Sequence, residues 1–403
     1  MHLNYLAFGV PLFTGLMLLE YYWSKKRQRR GIFRFHETVA NLNVGIAERL
    51  SDLFVAGVFY FLFDWLNKHV ALFSIRSGPV TWILLFLLTD LLWYWYHRFG
   101  HEINLFWGAH VVHHQSEDFN YSVSARITVF QAAARCLFWS VLPLIGFPAE
   151  MITVFLLVHG TYPFFTHTQM IGRLGWLEYV LVTPSHHRVH HSSNPQYLDK
   201  NYGDVLIIWD KLFGTFAGEE ETPVYGLTKP LGSSSFLWQH FHFWLEMAVA
   251  FRRARRLGQK WGVVFGAPDN IDPRIRPALE RLLSRSLPQR SYSPALSRYI
   301  RWQTLITLIA LFGVLLFAYY LSAQELGLLS LFILLSVVTT GAMLEQRKWI
   351  FHLEAARAGI VGILLWGTFP DVRLGIGLIV AALTLVCFYD TIRKRYYFQF
   401  FNS

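Results

Sequence analysis

Long apolar runs, separated by polar or basic stretches, recur from one end of this chain to the other. A run of roughly 20 apolar residues has the length that a helix needs to cross the hydrocarbon core of a bilayer. The pattern predicts nine membrane-spanning helices, at about residues 4–23, 43–63, 80–96, 128–147, 149–168, 302–321, 325–343, 350–369 and 374–391. We therefore predict an all-α polytopic membrane protein, folded as a helical bundle.

Two of these regions interrupt the simple pattern. The run at 350–369 carries Glu354 and Arg357 in its first half, at a spacing that lets the two charges pair on one helix face. The region 128–168 contains Pro143, Gly146 and Pro148, which break helices. It is predicted either as two spans or as a hairpin that enters the membrane and returns on the same side.

Composition and charge support a membrane location and suggest an orientation. Hydrophobic residues make up 54% of the 403 positions and charged residues 15%, whereas soluble domains carry about 25% charged residues. The basic run 24–30 follows the first apolar run instead of preceding it, which predicts a retained span with its N-terminus outside, not a cleaved signal peptide. With nine crossings, the basic run 393–395 also lies in the cytoplasm, as the positive-inside rule expects.

The same topology places two long polar segments, about 97–127 and 169–300, on the cytoplasmic side. The formal net charge is +10, and the basic runs adjoin apolar stretches. We therefore assign the charge to contact with anionic membrane lipids, with no nucleic-acid partner. The arginine-rich stretch 252–256 fits either a headgroup-binding helix face or an ordinary solvated surface.

Histidine is the residue type that carries the candidate chemistry. Eleven of the 17 histidines fall between His97 and His191. Residues three or four apart share one face of a helix, so each cluster can present two or three imidazoles on one side. The three clusters are His97-x-x-x-His101, His110-x-x-His113-His114 and the string 185–191, Ser-His-His-Arg-Val-His-His. The two cysteines, Cys136 and Cys387, lie in apolar runs and form no thiolate metal site.

The ligand type and number restrict the metal. Imidazole ligands suit iron, copper, zinc or nickel, whereas magnesium and calcium prefer oxygen. Eight histidines are too many for one tetrahedral zinc ion. Two metal ions, each with several imidazoles and an open coordination position, fit the number, and a redox-active metal such as iron gives that arrangement a purpose.

These strings resemble the three histidine boxes of the fatty acid hydroxylase / sterol desaturase superfamily. The stretch 199–216, Asp-Lys-Asn-Tyr-Gly-Asp-Val-Leu-Ile-Ile-Trp-Asp-Lys-Leu-Phe-Gly-Thr-Phe, is similar to the segment that follows the third box in that family. The stretches 101–102, 114–120 and 183–191, and the apolar runs after residue 300, resemble the branch that cleaves the ether bond of alkylglycerols.

The resemblance implies a non-haem di-iron centre that uses O2 to hydroxylate a C–H bond of a lipid substrate. Electrons would come from tetrahydrobiopterin, as in the ether-cleaving branch, or from a reductase or other electron-carrier protein. The implied ligands are His97, His101, His110, His113, His114, His187, His190 and His191, with His167 as an additional one and His159 as a weaker alternative to it.

The resemblance also implies four regions. These are membrane spans at 1–79, the di-iron catalytic region at 80–217, a cytoplasmic amphipathic and basic segment at 218–299, and C-terminal spans at 300–403.

Two questions about the residues of the site remain open at this stage. Spacing alone allows either His186 or His187 in the third box, and the pattern of the second box favours His187, with His186 near the start of the helix as a cap. Asp90 shares a helical stripe with His97 and would either orient a ligand imidazole or bond to a neighbouring span. Glu102, Asn120 and Asp204 are further residues that could support the ligands.

Two other functions are compatible with the sequence. One is a hydroxylase or desaturase of fatty-acyl, sphingoid or sterol-like lipids. The other is a zinc or copper transporter that uses histidines as a relay, although transporter sites lie near the membrane midplane and these clusters lie at the ends of spans.

Overall fold

The computed structural model describes residues 3–284 and 292–401, and those residues contain no β-strand, only the isolated bridges Leu181–Leu206 and Ser192–Tyr225. The all-α prediction is confirmed for this part of the chain. Its α-helices are α1 (Gly9–Lys26), α2 (Phe35–His69), α3 (Pro79–Glu102), α4 (Asn104–His110), α5 (Tyr121–Ser124), α6 (Gln131–Trp139), α7 (Val141–Ile145), α8 (Ala149–Thr166), α9 (Pro184–His190), α10 (Ile208–Phe213), α11 (Phe236–Arg253), α12 (Leu257–Phe265), α13 (Ile275–Leu279), α14 (Pro294–Phe317), α15 (Ala323–Leu344), α16 (Ile350–Thr368), α17 (Val372–Cys387) and α18 (Tyr389–Phe401).

Short 3-10 turns connect several of these helices. They lie at Tyr5–Phe8, Arg30–Ile32, His113–Gln115, Gly175–Tyr179, Pro195–Tyr197, Pro268–Asn270 and Ala318–Tyr320, and a π-helical turn covers Glu280–Ser284. The predicted region 218–299 includes residues 285–291, which lie outside the described residues.

Fewer helices are long and apolar enough to cross a membrane than the nine predicted. Within the described ranges five segments qualify: Tyr5–Lys26, Pro79–Glu102, Pro294–Tyr320, Ala323–Leu344 and Ile350–Thr368. A sixth qualifies if α17 and α18, which meet at 83°, count as one bent span. The chain is a multi-pass membrane protein, but the prediction of nine uniform crossings was wrong.

The three predicted spans that do not qualify have identifiable interruptions. The run at 43–63 lies inside the long helix α2, where Arg49 pairs with the buried Glu48 and with Asp52. The run at 128–147 divides into the short helices α6 and α7. The run at 149–168 forms α8, whose 18 residues include Glu150 and Pro163.

The turn between α7 and α8 requires glycine. Gly146 has φ of +128°, and a Cβ at this position would lie 2.0 Å from the carbonyl oxygen of Phe73. The break expected at Pro143, Gly146 and Pro148 is therefore present, and it returns the chain toward α3.

Two apolar cores hold the bundle together. In one, α2 packs against α14 and α15 through residues such as Ile46, Leu311 and Ile333. In the other, α3 packs against α6 and α8 through residues such as Leu85 and Trp139. The start of α3 is also stabilised locally. Pro79 is its first residue, and the Thr81 hydroxyl accepts a hydrogen bond from the Gly78 N–H at 2.9 Å.

Helix α12 has an apolar face that no other part of the described chain covers. Leu257, Trp261 and Phe265 recur every four residues and are 71%, 57% and 49% exposed. The arginine-rich stretch 252–256 immediately precedes them. The backbone N–H of Asn104, the first residue of α4, donates to the carbonyl oxygen of Gly266 at 2.9 Å, which joins α12 to α4.

Candidate metal centre

The end of α3, helix α4 with the turn after it, the end of α8 and helix α9 converge on one buried region. His97 and His101 lie on α3, His110 ends α4, and His113 and His114 begin the following 3-10 turn. His167 caps α8. Helix α9 begins with Pro184 after Thr183, a favourable start that aligns the third histidine cluster.

The nine predicted histidines form two groups. Within each group, one ring nitrogen from every histidine lies within 4.8 Å of those of the others. The five-histidine group contains His97, His101, His110, His114 and His190, and the four-histidine group contains His113, His167, His187 and His191. The neighbours His113 and His114 therefore belong to different groups, as do His190 and His191.

Backbone carbonyl oxygens orient several of these imidazoles through Nδ1. In the five-histidine group, Nδ1 of His97 lies 2.8 Å from the Tyr202 oxygen, and Nδ1 of His190 lies 3.0 Å from the Lys200 oxygen. In the four-histidine group, Nδ1 of His113 lies 3.1 Å from the oxygen of Arg126, and Nδ1 of His167 lies 2.6 Å from that of Pro163. A carbonyl oxygen can only accept, so Nδ1 carries the proton in each ring and Nε2 presents a lone pair to the group.

These lone pairs approach each other closely. Nε2 of His113 and Nε2 of His167 are 3.2 Å apart, although both rings have their proton on Nδ1. In the five-histidine group, Nε2 of His110 lies 3.1 Å from that of His97 and 3.0 Å from that of His114. Two facing lone pairs repel unless a proton or a metal cation lies between them, so the arrangement fits bound metal.

Burial makes the proton the less favourable of these two cations. Burial, together with the neighbouring imidazoles, lowers the pKa of each ligand histidine outside the membrane-spanning helices to well below the usual range of histidine. These histidines are His110, His113, His114, His187, His190 and His191. Neutral imidazole is the form that binds metal. Among the described residues, Nε2 of His101, His190 and His191 has no hydrogen-bond partner, which leaves these nitrogens available as ligands.

The segment 199–216 fixes the two carbonyl groups that orient His97 and His190. The Asp210 carboxylate accepts the N–H groups of Tyr202 and Gly203, each at 2.7 Å, and the Thr215 hydroxyl at 2.7 Å. The Asn201 amide donates to the carbonyl oxygen of His186 at 3.1 Å, which ties this segment to α9. This string therefore supports the site mainly through backbone positioning. One of its acids, Asp199, also approaches a ligand ring, with its Oδ1 4.0 Å from Nδ1 of His101.

Two buried arginines brace the second and third clusters. Arg126, which is 1% exposed, donates to the Val112 carbonyl oxygen at 2.6 Å and to the Gln115 side chain at 2.7 Å. Arg188 forms two parallel bonds to Glu219, at 2.7 and 2.6 Å, and donates to the carbonyl oxygen of Ile171 at 2.7 Å.

The other histidines of interest lie outside the two groups. Nδ1 of His186 accepts the N–H of Thr183 at 3.3 Å, so this ring caps α9, while the adjacent His187 points into the four-histidine group. His159 lies beside Asp90 and Asp204.

The acids and amides expected to orient ligands have other partners. Asp90 accepts the N–H groups of Val205 and Leu206, at 3.0 and 3.1 Å, instead of contacting a ligand imidazole. Glu102 pairs with Arg98 at 2.9 Å, and Asn120 caps α5 by accepting the Ser122 N–H at 2.9 Å.

Sequence reasoning did not identify the backbone acceptors or the aromatic wall of the site. The Phe119 ring stacks on His167 with centroids 5.5 Å apart, and Tyr225 stacks on Phe119 at 4.8 Å. On the other side, Trp107 lies 5.2 Å from His101. Backbone carbonyl acceptors cannot be recognised from residue type, whereas Phe119 lies in the stretch 114–120, which resembles the ether-cleaving branch of the family.

Comparisons with known proteins match this region and most of the chain. The fatty acid hydroxylase family model matches residues 82–215. Alkylglycerol monooxygenase of Danio rerio is 33% identical over 368 residues, covering 90% of this chain and 82% of that protein. The Homo sapiens alkylglycerol monooxygenase is 34% identical over 372 residues, covering 88% and 81%.

A more distant relative covers about half of the chain. Ornithine lipid hydroxylase OlsE of Rhizobium tropici is 27% identical over 217 residues, covering 51% of this chain and 63% of that protein. No solved structure matches this chain.

Proposed function

Because this chain belongs to the fatty acid hydroxylase family and is a membrane monooxygenase that hydroxylates lipids, we propose that each of its two histidine groups holds one iron ion. The observation that supports this proposal is the pair of facing Nε2 lone pairs of His113 and His167, 3.2 Å apart, in two rings whose Nδ1 protons are held by carbonyl groups. Imidazole ligands are suited to iron. When bound, iron supplies the O2 activation that hydroxylation of an unreactive C–H bond requires.

The residues of the chain have three roles in this proposal. The carbonyl groups of Tyr202, Lys200 and Arg126 hold the ligand rings in one tautomer and one orientation. Phe119 and Trp107 border the two groups with apolar surface and exclude water. Arg188 fixes α9, which supplies ligands to both groups, against the segment after α8.

We propose an alkylglycerol-type ether lipid as the substrate, because the two relatives that cover most of this chain are alkylglycerol monooxygenases. One oxygen atom of O2 enters the C–H bond beside the ether oxygen, and the other becomes water with two electrons and two protons from an external donor. The resulting hemiacetal breaks its C–O bond to give an aldehyde and free glycerol. The donor is tetrahydrobiopterin or a reductase protein.

The likeness to an ornithine lipid hydroxylase favours a second candidate, in which an ornithine lipid is hydroxylated and remains intact. Incubation of the purified protein with O2, tetrahydrobiopterin and either an alkylglycerol or an ornithine lipid separates the two. Aldehyde release supports ether cleavage, whereas a product heavier by one oxygen atom supports the second candidate. A parallel incubation with a reductase and NADPH identifies the donor.

Metal analysis tests the di-iron proposal, with two adjacent histidines as a matched pair. The wild-type protein should carry two iron ions per chain. His187→Ala should lose the iron of the four-histidine group and all turnover, because no neighbouring side chain replaces the lost ligand. His186→Ala should keep both irons, because His186 only caps α9. Retention of iron and turnover by His187→Ala would contradict the ligand assignment.

We also propose that the histidine groups face the cytoplasm, because the basic run 24–30 lies beside them: Arg29 donates to the Gln169 carbonyl oxygen at 2.9 Å, two residues after His167. Basic runs next to a span favour the cytoplasmic side, and the run 393–395 is expected on that side too. The exposed residues Gln196 and Lys394 can each be replaced by cysteine in a chain whose Cys136 and Cys387 are changed to serine. A membrane-impermeant thiol reagent should label both positions from the cytoplasmic side. Labelling of Gln196→Cys from the outside alone would overturn this orientation.

A further inference from the structure

A third cluster of metal-capable side chains lies apart from both histidine groups. Asp90 of α3, His159 of α8 and Asp204 of the segment after the third histidine cluster converge, and all three are buried. Nδ1 of His159 lies 2.5 Å from Oδ2 of Asp204 and 3.6 Å from Oδ1 of Asp90. Neither the family assignment nor the proposed chemistry gives this cluster a role.

The distances favour a hydrogen-bonded ion pair over a third metal site. Two ligands of one tetrahedral ion, at bond lengths of about 2.1 Å, lie roughly 3.4 Å apart, whereas His159 and Asp204 are separated by 2.5 Å. The Asp90 carboxylate already accepts three N–H donors, from Val205, Leu206 and the Trp209 indole, at 3.0, 3.1 and 2.9 Å. The Asp90 carboxylate and Oδ2 of Asp204 are therefore satisfied by donors of the protein itself, while Nε2 of His159 and Oδ1 of Asp204 have no hydrogen-bond partner among the described residues.

Those donors belong to one short segment. Asp90 holds residues 205 and 206 by their backbone N–H groups, and His159 holds Asp204 by its side chain. The residues just before this segment are Tyr202 and Lys200, whose carbonyl oxygens accept the Nδ1 protons of His97 and His190. The cluster thus attaches the segment that carries two ligand-orienting carbonyl groups to helices α3 and α8.

We infer that Asp90, His159 and Asp204 are positioning residues for the five-histidine group, fixing the segment that orients His97 and His190. This inference rests on the proposed function, because it assumes that the groups bind metal. The orienting carbonyl groups of the four-histidine group come from Arg126 and Pro163, outside this segment. The cluster should therefore act on one metal centre and leave the other intact.

Asp204→Asn and Asp90→Asn test this selectivity by replacing a carboxylate with an amide of the same shape. In Asp90→Asn, an NH2 group replaces an acceptor oxygen opposite N–H donors, so the segment loses a bond and gains a repulsive contact. Loss of a group that orients metal ligands typically lowers metal affinity about 10–100-fold. We expect metal content after dialysis against a chelator to fall from two ions per chain toward one.

Glu150→Gln is the matched control, because Glu150 lies on α8 like His159 but is exposed and contacts only the Tyr60 hydroxyl, at 3.2 Å. It should keep both ions. A double variant shows which ion is lost. His187→Ala alone keeps only the metal of the five-histidine group, so adding Asp204→Asn to it should remove that remaining metal as well.

The possible outcomes separate this inference from the proposal it rests on. If the wild-type protein and both Asp variants each hold two ions with the same affinity, the inference is overturned and the proposed function stands. Loss of both ions together with aggregation in both Asp variants would show a general folding role and would also overturn it. A wild-type protein without metal would instead overturn the proposed function.

Discussion

Replacing Gly203 by alanine places one methyl group where three fixed neighbours leave no room. The added Cβ would lie 2.7 Å from the Leu206 carbonyl oxygen, 2.9 Å from Oδ2 of Asp210 and 3.1 Å from Cγ2 of Val182. Each of these neighbours is held in place. Asp90 bonds to the Leu206 N–H, the N–H of Tyr202 donates to Asp210, and the Val182 N–H donates to the Val205 carbonyl oxygen.

The size of the effect follows from these distances. Ordinary van der Waals contact begins near 3.4 Å, so the Gly203 backbone must move by about 0.7 Å, and overpacking of this kind costs about 1–3 kcal/mol of stability. The adjacent bond from His97 Nδ1 to the Tyr202 oxygen, now 2.8 Å, would stretch toward about 3.5 Å, where a hydrogen bond is largely lost. We expect metal affinity at the five-histidine group to fall about 10–100-fold.

Two measurements check this prediction, metal content after dialysis at graded chelator concentrations and thermal melting in detergent. Gly218→Ala is the control, because no atom lies within 4 Å of its added Cβ. If Gly203→Ala binds two metal ions as tightly as wild type and melts at the same temperature, the segment is not the rigid support described above.

Two other predictions concern stability. Arg188→Lys should lower the free energy of unfolding by about 2–4 kcal/mol, because lysine cannot reproduce the paired bonds to Glu219 and leaves buried acceptors unpaired; an unchanged melting temperature would contradict this. Burial lowers the pKa of His242 to about 3, against about 6.5 in an unfolded chain, so below pH 6.5 the unfolded state gains a proton that the folded state does not. Stability should therefore fall as pH decreases from 6.5 toward 3. Between pH 7 and pH 5, the free energy of unfolding of His242→Gln should fall by about 2 kcal/mol less than that of wild type. Identical acid sensitivity of the two proteins would refute this.

The helical character of the chain and the histidines that gather at its centre could be predicted because both signals are local. Ligand-type spacing identifies His97, His101 and His110 without knowledge of the fold. The allocation of neighbours such as His113 and His114 to different groups depends on how α4 and α9 face each other, which spacing alone does not contain.

The incorrect expectations share a physical cause. The length of an apolar run does not show which tertiary contacts a helix makes. Such contacts let α2 carry Glu48 and Arg49 and let α8 carry His159. For Asp90 the helical stripe it shares with His97 left two roles open, and its carboxylate accepts N–H donors of the segment after the third histidine cluster instead of a ligand imidazole. Helical periodicity reports which side chains share a face, and it cannot report which backbone groups will approach that face.

The uncovered face of α12 relates the site to the composition of the surrounding bilayer. Its exposed Leu257, Trp261 and Phe265, preceded by a run of arginines, match the apolar boundary and the anionic headgroups of a membrane surface. Because α12 is bonded to the start of α4, and α4 ends at His110, the depth at which this helix lies also affects the position of one ligand. We therefore expect turnover to depend on the charge of the bilayer lipids and to rise with the fraction of anionic lipid, which draws α12 to the interface.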